Sequence, residues 1–501
     1  MSYKITIIEN GKERVRETEG NETLLAVLQN AGSTIHAPCG GNGTCRRCTV
    51  NVSGDCRAFD GTVTHYEDGA VLSCRVYPES DLRVTIEQAS GGRVLANARD
   101  IDGSGKGYGL AFDIGTTTIA GYLYDLEKGK CLETIGEMNM QRSYGADVVS
   151  RIRYCSEPDG QKNLTALVRK QILKLSGQLC AKQKLKLDAI RYISIAGNTV
   201  MEHIFAGLSP VSIGVAPYKP QSLFGKEYSA GEFFSAFSAN CKVYICPAIA
   251  GYVGGDITAG LVSSGACDSQ KTLLFIDVGT NGEMALGNAD GFVCCATAAG
   301  PAFEGAEMEC GSSAQDGAIN TVNTDLSFTV LGDGEAKSIC GSGLLDAVGA
   351  LLYNEILDDT GRMDGERYNF TDKVWISAAD VRKLQLAKAA IRAGIETLLY
   401  VSGTSYGEIS DVLIAGGFGA YLRKESSCAI GMLPPAFLEK TIHIGNSAGM
   451  GAALALTEQG RKRLNEVAKK CRYEELSASQ LFNNTYIDAM MFDDWEKVYH
   501  D

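Results

Sequence analysis

The sequence predicts a small α+β domain at the N-terminus, followed by a larger α/β region made of two similar lobes. Three observations carry that expectation. A glycine-lined loop, Ala37–Val50, holds Cys39, Cys45 and Cys48 after a hairpin and a short helix, and Cys74 follows. The pattern Asp-x-Gly-Thr occurs twice between apolar strands, at Asp113 and at Asp277, which points to a duplicated lobe. An apolar strand, Asp411–Ala415, runs into Gly416-Gly417-Phe418-Gly419. The expected divisions are 1–88, a flexible linker at 89–107, lobes at 108–268 and 269–457, and a C-terminal helix and tail at 458–501.

In chain order, Tyr3–Ile8 and Arg14–Thr18 flank Glu9-Asn10-Gly11, and Asn-Gly is a strong hairpin signal. Thr23–Gln29 reads as a helix capped by Asn21 and closed by Gly32. In the cysteine loop, C-x5-C-x2-C with a fourth cysteine downstream suits an iron–sulfur cluster, which needs four thiolates converging on one point. Gly40, Gly41 and Gly43 allow the tight curl and let backbone N–H groups face the sulfurs. The spacing is close to the plant-type [2Fe–2S] pattern with one extra residue. A structural zinc site is the alternative, although zinc favours two separated C-x2-C pairs. Cys56 reads as a plain buried or loop thiol. Cys48–Val52 and Leu82–Glu87 alternate as strands, and Gln88–Gly107 is rich in glycine, serine and charge without periodicity.

The two lobes come next. Tight turns at Gly115-Thr116-Thr117 and Gly279-Thr280-Asn281-Gly282 aim N–H groups and hydroxyls at phosphate oxygens. Asp113 and Asp277, at the strand ends, are placed to hold Mg²⁺ through water. Two such turns can grip the phosphates of one nucleotide between the lobes. Gly416, Gly417 and Phe418, expected to open a helix, let a ligand approach the backbone. Ile193–Val200 reads as a strand entering a helix, and Ser338–Val348, with Gly341 and Ser342, is its counterpart in the second lobe. Ala378–Tyr400 and Asn446–Thr457 read as helices.

Composition narrows the classes. The 501 residues are 45% hydrophobic and 21% charged, which describes a globular chain of about three domains. A net charge of −13 without a basic block argues against nucleic-acid binding. No apolar run is long enough to span a bilayer, and the N-terminus shows no signal-peptide core. Seventeen cysteines without a secretion signal point to a reducing cytoplasm rather than a disulfide framework.

Several of these motifs carry family resemblances. The N-terminal segment resembles the β-grasp fold of [2Fe–2S] ferredoxins, and Leu72-Ser73-Cys74-Arg75 resembles the fourth-ligand segment of that family. The paired turns with Gly416–Phe418 resemble the nucleotide site of the acetate and sugar kinase, heat-shock chaperone and actin superfamily. Together the chain resembles the ATP-dependent reductive activators of corrinoid proteins over nearly its whole length. Gly197-Asn198-Thr199 with His203, Gly251–Gly260, Ala299–Gly305 and Ile430–Pro434 belong to that resemblance. The resemblance implies a [2Fe–2S] cluster on Cys39, Cys45, Cys48 and Cys74, with ATP and Mg²⁺ between the lobes. It implies that an electron from an unidentified low-potential donor reaches Co(II) of a corrinoid methyl carrier and restores Co(I), with ATP driving the partner complex. A homodimer follows from the resemblance alone. Cys471 is the only cysteine after Cys428, so no C-terminal [4Fe–4S] cluster is expected.

Other readings remain open on the residues. A radical-generating activator of a dehydratase uses the same ATPase fold, but takes its cluster cysteines from the ATPase itself. A metabolite kinase with a redox appendage and an ATP-gated redox binding module are further alternatives. His203 lies in a family-like segment, Arg46 and Arg47 sit between cluster cysteines, and Glu304 is open to either the nucleotide or the partner.

Overall fold

The structure is a computed structural model that describes every residue except 1, 10, 34, 36, 38–40, 42, 44–47, 87–97, 104, 306–307, 333, 493 and 500–501. Two compact units divide the chain: 1–91 with 139–168, and 92–138 with 169–501.

In the first unit, β1 (Tyr3–Glu9) and β2 (Lys12–Thr18) pair antiparallel across a two-residue turn, with Gly11 at φ +72°. α1 (Leu24–Asn30) is capped by the Thr23 hydroxyl, which accepts from Ala26 N–H. The expected cap, Asn21, lies too early, because the apolar run that needs burial begins at Leu24. β3 (Thr49–Ala58), β4 (Val63–Leu72), β5 (Val76–Pro78) and β6 (Leu82–Ile86) complete a sheet in the order β2-β1-β6-β3-β4, with β5 beside β3. β1 and β6 run parallel, and α1 buries Leu24, Val27 and Leu28 with Ile5, Ile7, Val52 and Val84. Hairpin, helix and a returning strand between older ones make a ferredoxin-like β-grasp. The same unit holds α2 (Val148–Cys155), capped by Asp147, and the start of α3 (Gly160–Lys182). Its Arg151 is fully buried and donates to Gly145 O at 3.0 Å.

The second unit contains two sheets of the same design. β7 (Tyr108–Ile114), β8 (Thr118–Asp125) and β9 (Lys130–Met138) form a meander, extended on its other side by β10 (Ile190–Gly197). α4 (Thr199–Ala206) follows β10, β11 (Lys226–Ser229) and β12 (Lys242–Ile245) finish the sheet, and α5 (Gly255–Ser263) closes the first lobe. The second meander is β13 (Leu273–Val278), β14 (Gly282–Asn288) and β15 (Gly291–Thr297). β16 (Ala318–Val322), β17 (Phe328–Val330) and β18 (Ser338–Ile339) form a small sheet before α6 (Gly341–Tyr353). A hairpin of β19 (Arg367–Asn369) and β20 (Trp375–Ser377) leads to α7 (Ala378–Ser402), β21 (Val412–Ala415), α8 (Lys424–Ala429), β22 (Thr441–Gly445) and α9 (Ser447–Leu454). Strand orders β9-β8-β7-β10-β12 and β15-β14-β13-β21-β22 are equivalent, which establishes the duplication.

The segment after α9 is woven into this unit. α10 (Glu458–Lys470) is followed by β23 (Cys471–Tyr473), which pairs parallel with β15. α11 (Gln480–Asp488) and α12 (Trp495–Tyr499) come last. Buried Lys388 of α7 donates to Met491 O and lies 4.8 Å from the Phe492 ring, while Arg392 pairs with Asp494 at 3.0 Å.

Two expectations change here. Residues 98–103 and 105–107, read as linker, lie along the first lobe: Ile101 N–H donates to Gly129 O at 2.7 Å and Gly105 N–H to Leu126 O at 3.1 Å. Backbone pairing of this kind leaves no side-chain periodicity to read. The linker expectation for 89–97 lies outside the described residues. Gly416–Gly419 does not open an α-helix directly; a 3-10 turn, Gly419–Tyr421, comes first and α8 starts only at Lys424.

Helices α5 and α9 cross between the two sheets at small residues. A side chain on Gly451 would stand 2.2 Å from Ala259 O, so only glycine permits this approach. Gly451→Val is expected to cost about 3 kcal/mol of stability by overpacking, read as a lower calorimetric midpoint. An unchanged midpoint would show that the crossing does not hold the lobes.

Candidate functional site

Cys48 and Cys74 are both buried, and their segments are tied together. Ser73 donates to Cys48 O through both its N–H (3.0 Å) and its hydroxyl (2.8 Å). The loop that leads into Cys48 needs its glycines. Gly41 and Gly43 sit at φ +88° and +76°, and a Cβ on Gly43 would lie 1.9 Å from Arg75 Nε. Gly41 faces the Cys74 Cβ at 3.9 Å from its own missing Cβ, which brings the loop against Cys74. Cys39, Cys45, Gly40, Arg46 and Arg47 lie outside the described residues. Cys56 is eight residues further along β3 than Cys48, roughly 25 Å at strand rise, too far to share a cluster with it. Burial, and then Asp55, push its thiol up to about 11, so it is an inert core thiol.

The nucleotide residues meet in one cleft of the second unit. β7 ends at Asp113 and Ile114, and the turn Gly115–Thr117 leads into β8; β13 ends at Asp277 and Val278, and Gly279–Asn281 leads into β14. Asp113, Gly115, Thr116, Thr117, Asp277, Gly279, Thr280, Asn281, Gly341, Ser342, Gly416, Gly417 and Phe418 all line it. Gly282 does not. A side chain there would meet Ile391 of α7 at 2.1 Å, so its role is packing at the start of β14. Thr117 Oγ1 and Thr280 Oγ1 are 3.5 Å apart, so the two turns face each other at contact distance. Gly416, at φ +96°, passes so close to Asp277 Oδ1 that a Cβ would stand 2.6 Å from it.

Each lobe adds an asparagine to which the sequence assigned no role in the cleft: Asn198 stood only in a family-like segment and Asn446 only at a helix start. Asn198 caps α4 by accepting from Met201 N–H at 3.0 Å, and donates to Thr116 Oγ1 at 3.0 Å. Asn446 caps α9 by accepting from Gly449 N–H at 2.7 Å, and donates to Asp113 Oδ2 at 2.9 Å. Asp256, at the first turn of α5, and Glu283, opposite Asp277 across the hairpin, also face the cleft. A lone aspartate after two glycines at a helix start was the available signal for Asp256.

The electrostatics of this cleft are one-sided. Asp113, Asp256, Asp277, Glu283 and Glu304 line it, and no lysine, arginine or histidine does so among the described residues. Burial raises Asp113 to about 6; burial and Asp113 raise Asp256 to about 7; burial, Asp256 and Asp113 raise Asp277 to about 8. Glu283 is pushed up by burial and by Asp256 and Asp277, and wholly buried Glu202 by burial and Asp256. Such mutual repulsion fits a divalent cation as the missing partner. Among the described residues no three His, Cys, Asp or Glu side chains converge to chelate a metal alone.

His203 is not part of this site. Its Nδ1 bonds Thr199 O at 2.7 Å, and Nε2 accepts from the N–H groups of Gln221 and Ser222 at 3.1 and 3.3 Å. Burial lowers its pKa, so the neutral ring is a satisfied core group. Stability from this ring is present above its ordinary pKa and lost as pH falls through the lowered folded value. The advantage of wild type over His203→Gln is therefore expected to shrink between pH 7 and pH 5 in denaturant melts; a constant difference would contradict this.

Comparison with known proteins agrees across the chain. Residues 271–499 match the family described as the C-terminal domain of RACo, the ASKHA domain; 108–268 match the RACo middle region; and 7–79 match the 2Fe-2S iron-sulfur cluster binding domain. The chain is 32% identical over 420 residues to the corrinoid activation enzyme RamQ of Eubacterium limosum, covering 77% of this chain and 70% of that protein. It is 25% identical over 425 residues to a [Co(II) methylated amine-specific corrinoid protein] reductase of Methanosarcina barkeri, covering 77% of each. A solved reductive activator for corrinoid, iron-sulfur protein superposes with a TM-score of 0.72 at 30% identity, covering 99% of both chains. Among the described residues no helix is long and apolar enough to cross a membrane.

Proposed function

The chain belongs to the RACo family of reductive activators of corrinoid proteins, and from that premise we propose that it returns the Co(II) of a corrinoid methyl carrier to Co(I) at the expense of ATP. The observation that carries this reading is the pairing, in one chain, of a cysteine-loop domain with a carboxylate-lined cleft between two phosphate turns. When bound, the [2Fe–2S] cluster supplies a one-electron carrier and Mg²⁺ the positive charge that lets polyphosphate enter an acidic cleft.

The residues divide the work. Cys39, Cys45, Cys48 and Cys74 hold the cluster, and glycine N–H groups of the loop stabilise its charge. Thr116, Thr117 and Thr280 hydroxyls and the turn N–H groups hold the phosphates, while Asp113 and Asp277 hold the metal. Gly416, Gly417 and Phe418, with Gly341 and Ser342, shape the base and ribose end. Asp256, at the first turn of α5 and raised to about 7 by burial and by Asp113, is poised as a base near neutral pH, and in this reading it orients the attacking water and takes its proton at the carboxylate. Water adds to the terminal phosphorus as the bond to ADP breaks, giving ADP and phosphate.

Because ATP acts on the partner complex, ATP and the Co(II) partner should change each other's affinity by the same factor. Partner is titrated with and without a non-hydrolysable ATP analogue, then mixed anaerobically with a low-potential reductant while the cobalt spectrum is followed. We expect a several-fold affinity shift and Co(I) formation that requires ATP. Equal Co(I) formation without ATP would refute the reading.

A further inference from the structure

Glu304 occupies a place that the activity leaves unexplained. It ends a 3-10 turn, Pro301–Glu304, and its carboxylate lies between the two phosphate turns. Oε2 accepts from Thr117 Oγ1 of the first lobe at 2.7 Å, and Oε1 accepts from Thr280 Oγ1 of the second at 2.5 Å. One anion with two oxygens thus joins hydroxyls that belong to opposite halves of the cleft. Four other carboxylates line the same cleft and no cationic side chain does so among the described residues, so no ion pair draws Glu304 there. Two hydroxyl donors hold it against like charge.

We propose that Glu304 is an internal stand-in for the phosphates of the nucleotide, latching the two turns together until ATP displaces it. The proposal rests on nucleotide binding in this cleft. A phosphate would offer the same two hydroxyls the same kind of acceptor, with magnesium to offset its charge. The turn is built to leave. Gly300 and Gly305 bracket it at φ +78° and +70°; nothing lies within 4 Å of where a Gly300 side chain would stand, so the turn can swing at that end, while Gly305 stays packed on Ser312 O. The departure would be felt further on. Phe303, buried on the same turn, stacks on Phe418 with ring centroids 5.8 Å apart at 19°. Gly341 passes so near Phe303 O that a Cβ would stand 1.6 Å from it. Neighbouring residues of one turn therefore touch both the phosphate end and the base end of the cleft.

The test measures equilibrium binding of a non-hydrolysable ATP analogue and of AMP, both with magnesium, to the full cluster-loaded chain. Wild type, Glu304→Ala and Glu304→Gln are compared. Removing the competing carboxylate should tighten analogue binding about tenfold in Glu304→Ala and leave AMP within about twofold, because AMP does not reach the latch. Glu304→Gln should fall between, since its amide still accepts from one hydroxyl but carries no charge. Unchanged or weaker analogue binding in both variants, with AMP unaffected, would overturn the latch while leaving the nucleotide site intact. If wild type binds neither nucleotide, the reading of the cleft itself falls and the latch with it. Loss of AMP binding in Glu304→Ala alone would mark a folding defect, and Glu304→Gln then decides by the same criterion.

Discussion

Asp277→Ala is expected to lower ATP hydrolysis about a thousandfold, and Asp113→Ala by a similar factor. Asp277, the penultimate residue of β13, stands between Glu283 on one side and Ala415 on the other, with Gly416 shaped to pass its carboxylate. On the proposed site, its loss would remove a magnesium contact and leave the charge of the leaving phosphate uncompensated. A second measurement separates this from simple damage. With metal chelated, the wild-type cleft repels ATP through its carboxylates. Because burial and its acidic neighbours raise Asp277 to about 8, its carboxyl is largely protonated at pH 7 without metal, so metal-free ATP binding in Asp277→Ala should stay within about twofold of wild type even as magnesium-dependent turnover collapses. A variant that merely unfolds would lose both. Full hydrolysis in Asp277→Ala would remove the two-turn site from consideration.

Cys74→Ser should abolish the visible absorption of the cluster and bring cobalt reduction to the background rate, whereas Cys56→Ser should leave both near wild type. The Ser73 bonds to Cys48 O place Cys74 beside the loop, while Cys56 lies far along β3. A serine oxygen is a poor substitute for a thiolate on iron. Because none of the proposed cluster cysteines lies in the nucleotide lobes, basal ATP hydrolysis by Cys74→Ser should persist. Iron and sulfide content, recorded with the spectrum, checks the result. Retention of the cluster by Cys74→Ser together with its loss from Cys56→Ser would reverse the ligand assignment.

Much of this was legible because short-range chemistry announces itself. Asn10-Gly11 between alternating strands, two Asp-x-Gly-Thr turns and a cysteine loop each need only a few consecutive residues. What escaped depends on partners distant in the chain. Asn446 reaches Asp113 from 333 residues away, and nothing in its local sequence distinguishes that from ordinary helix capping. Glu304 likewise meets Thr117 across 187 residues. β4 escaped for another reason. His65, Glu67 and Asp68 give it a polar, largely exposed edge with no buried alternation until Val71. At Gly416 the glycines that admit a ligand also delay the helix, so the strand was readable and the helix start was not.

The crossing of α9 with the first lobe has a consequence in time. Ser194 of β10 donates to Ala452 O, and α9 packs on the sheet whose other elements all precede it. That sheet therefore lacks its cover until a helix made roughly 190 residues after α5 has emerged, about 10 to 40 s later at ordinary ribosomal speed. β23 imposes a still later condition on the second sheet. The N-terminal β-grasp needs nothing from that distance and can close while the rest is being made. Translation thus sets a sequence of events in which the cysteine domain matures first and the two lobes become whole almost together, once α9 and β23 have emerged.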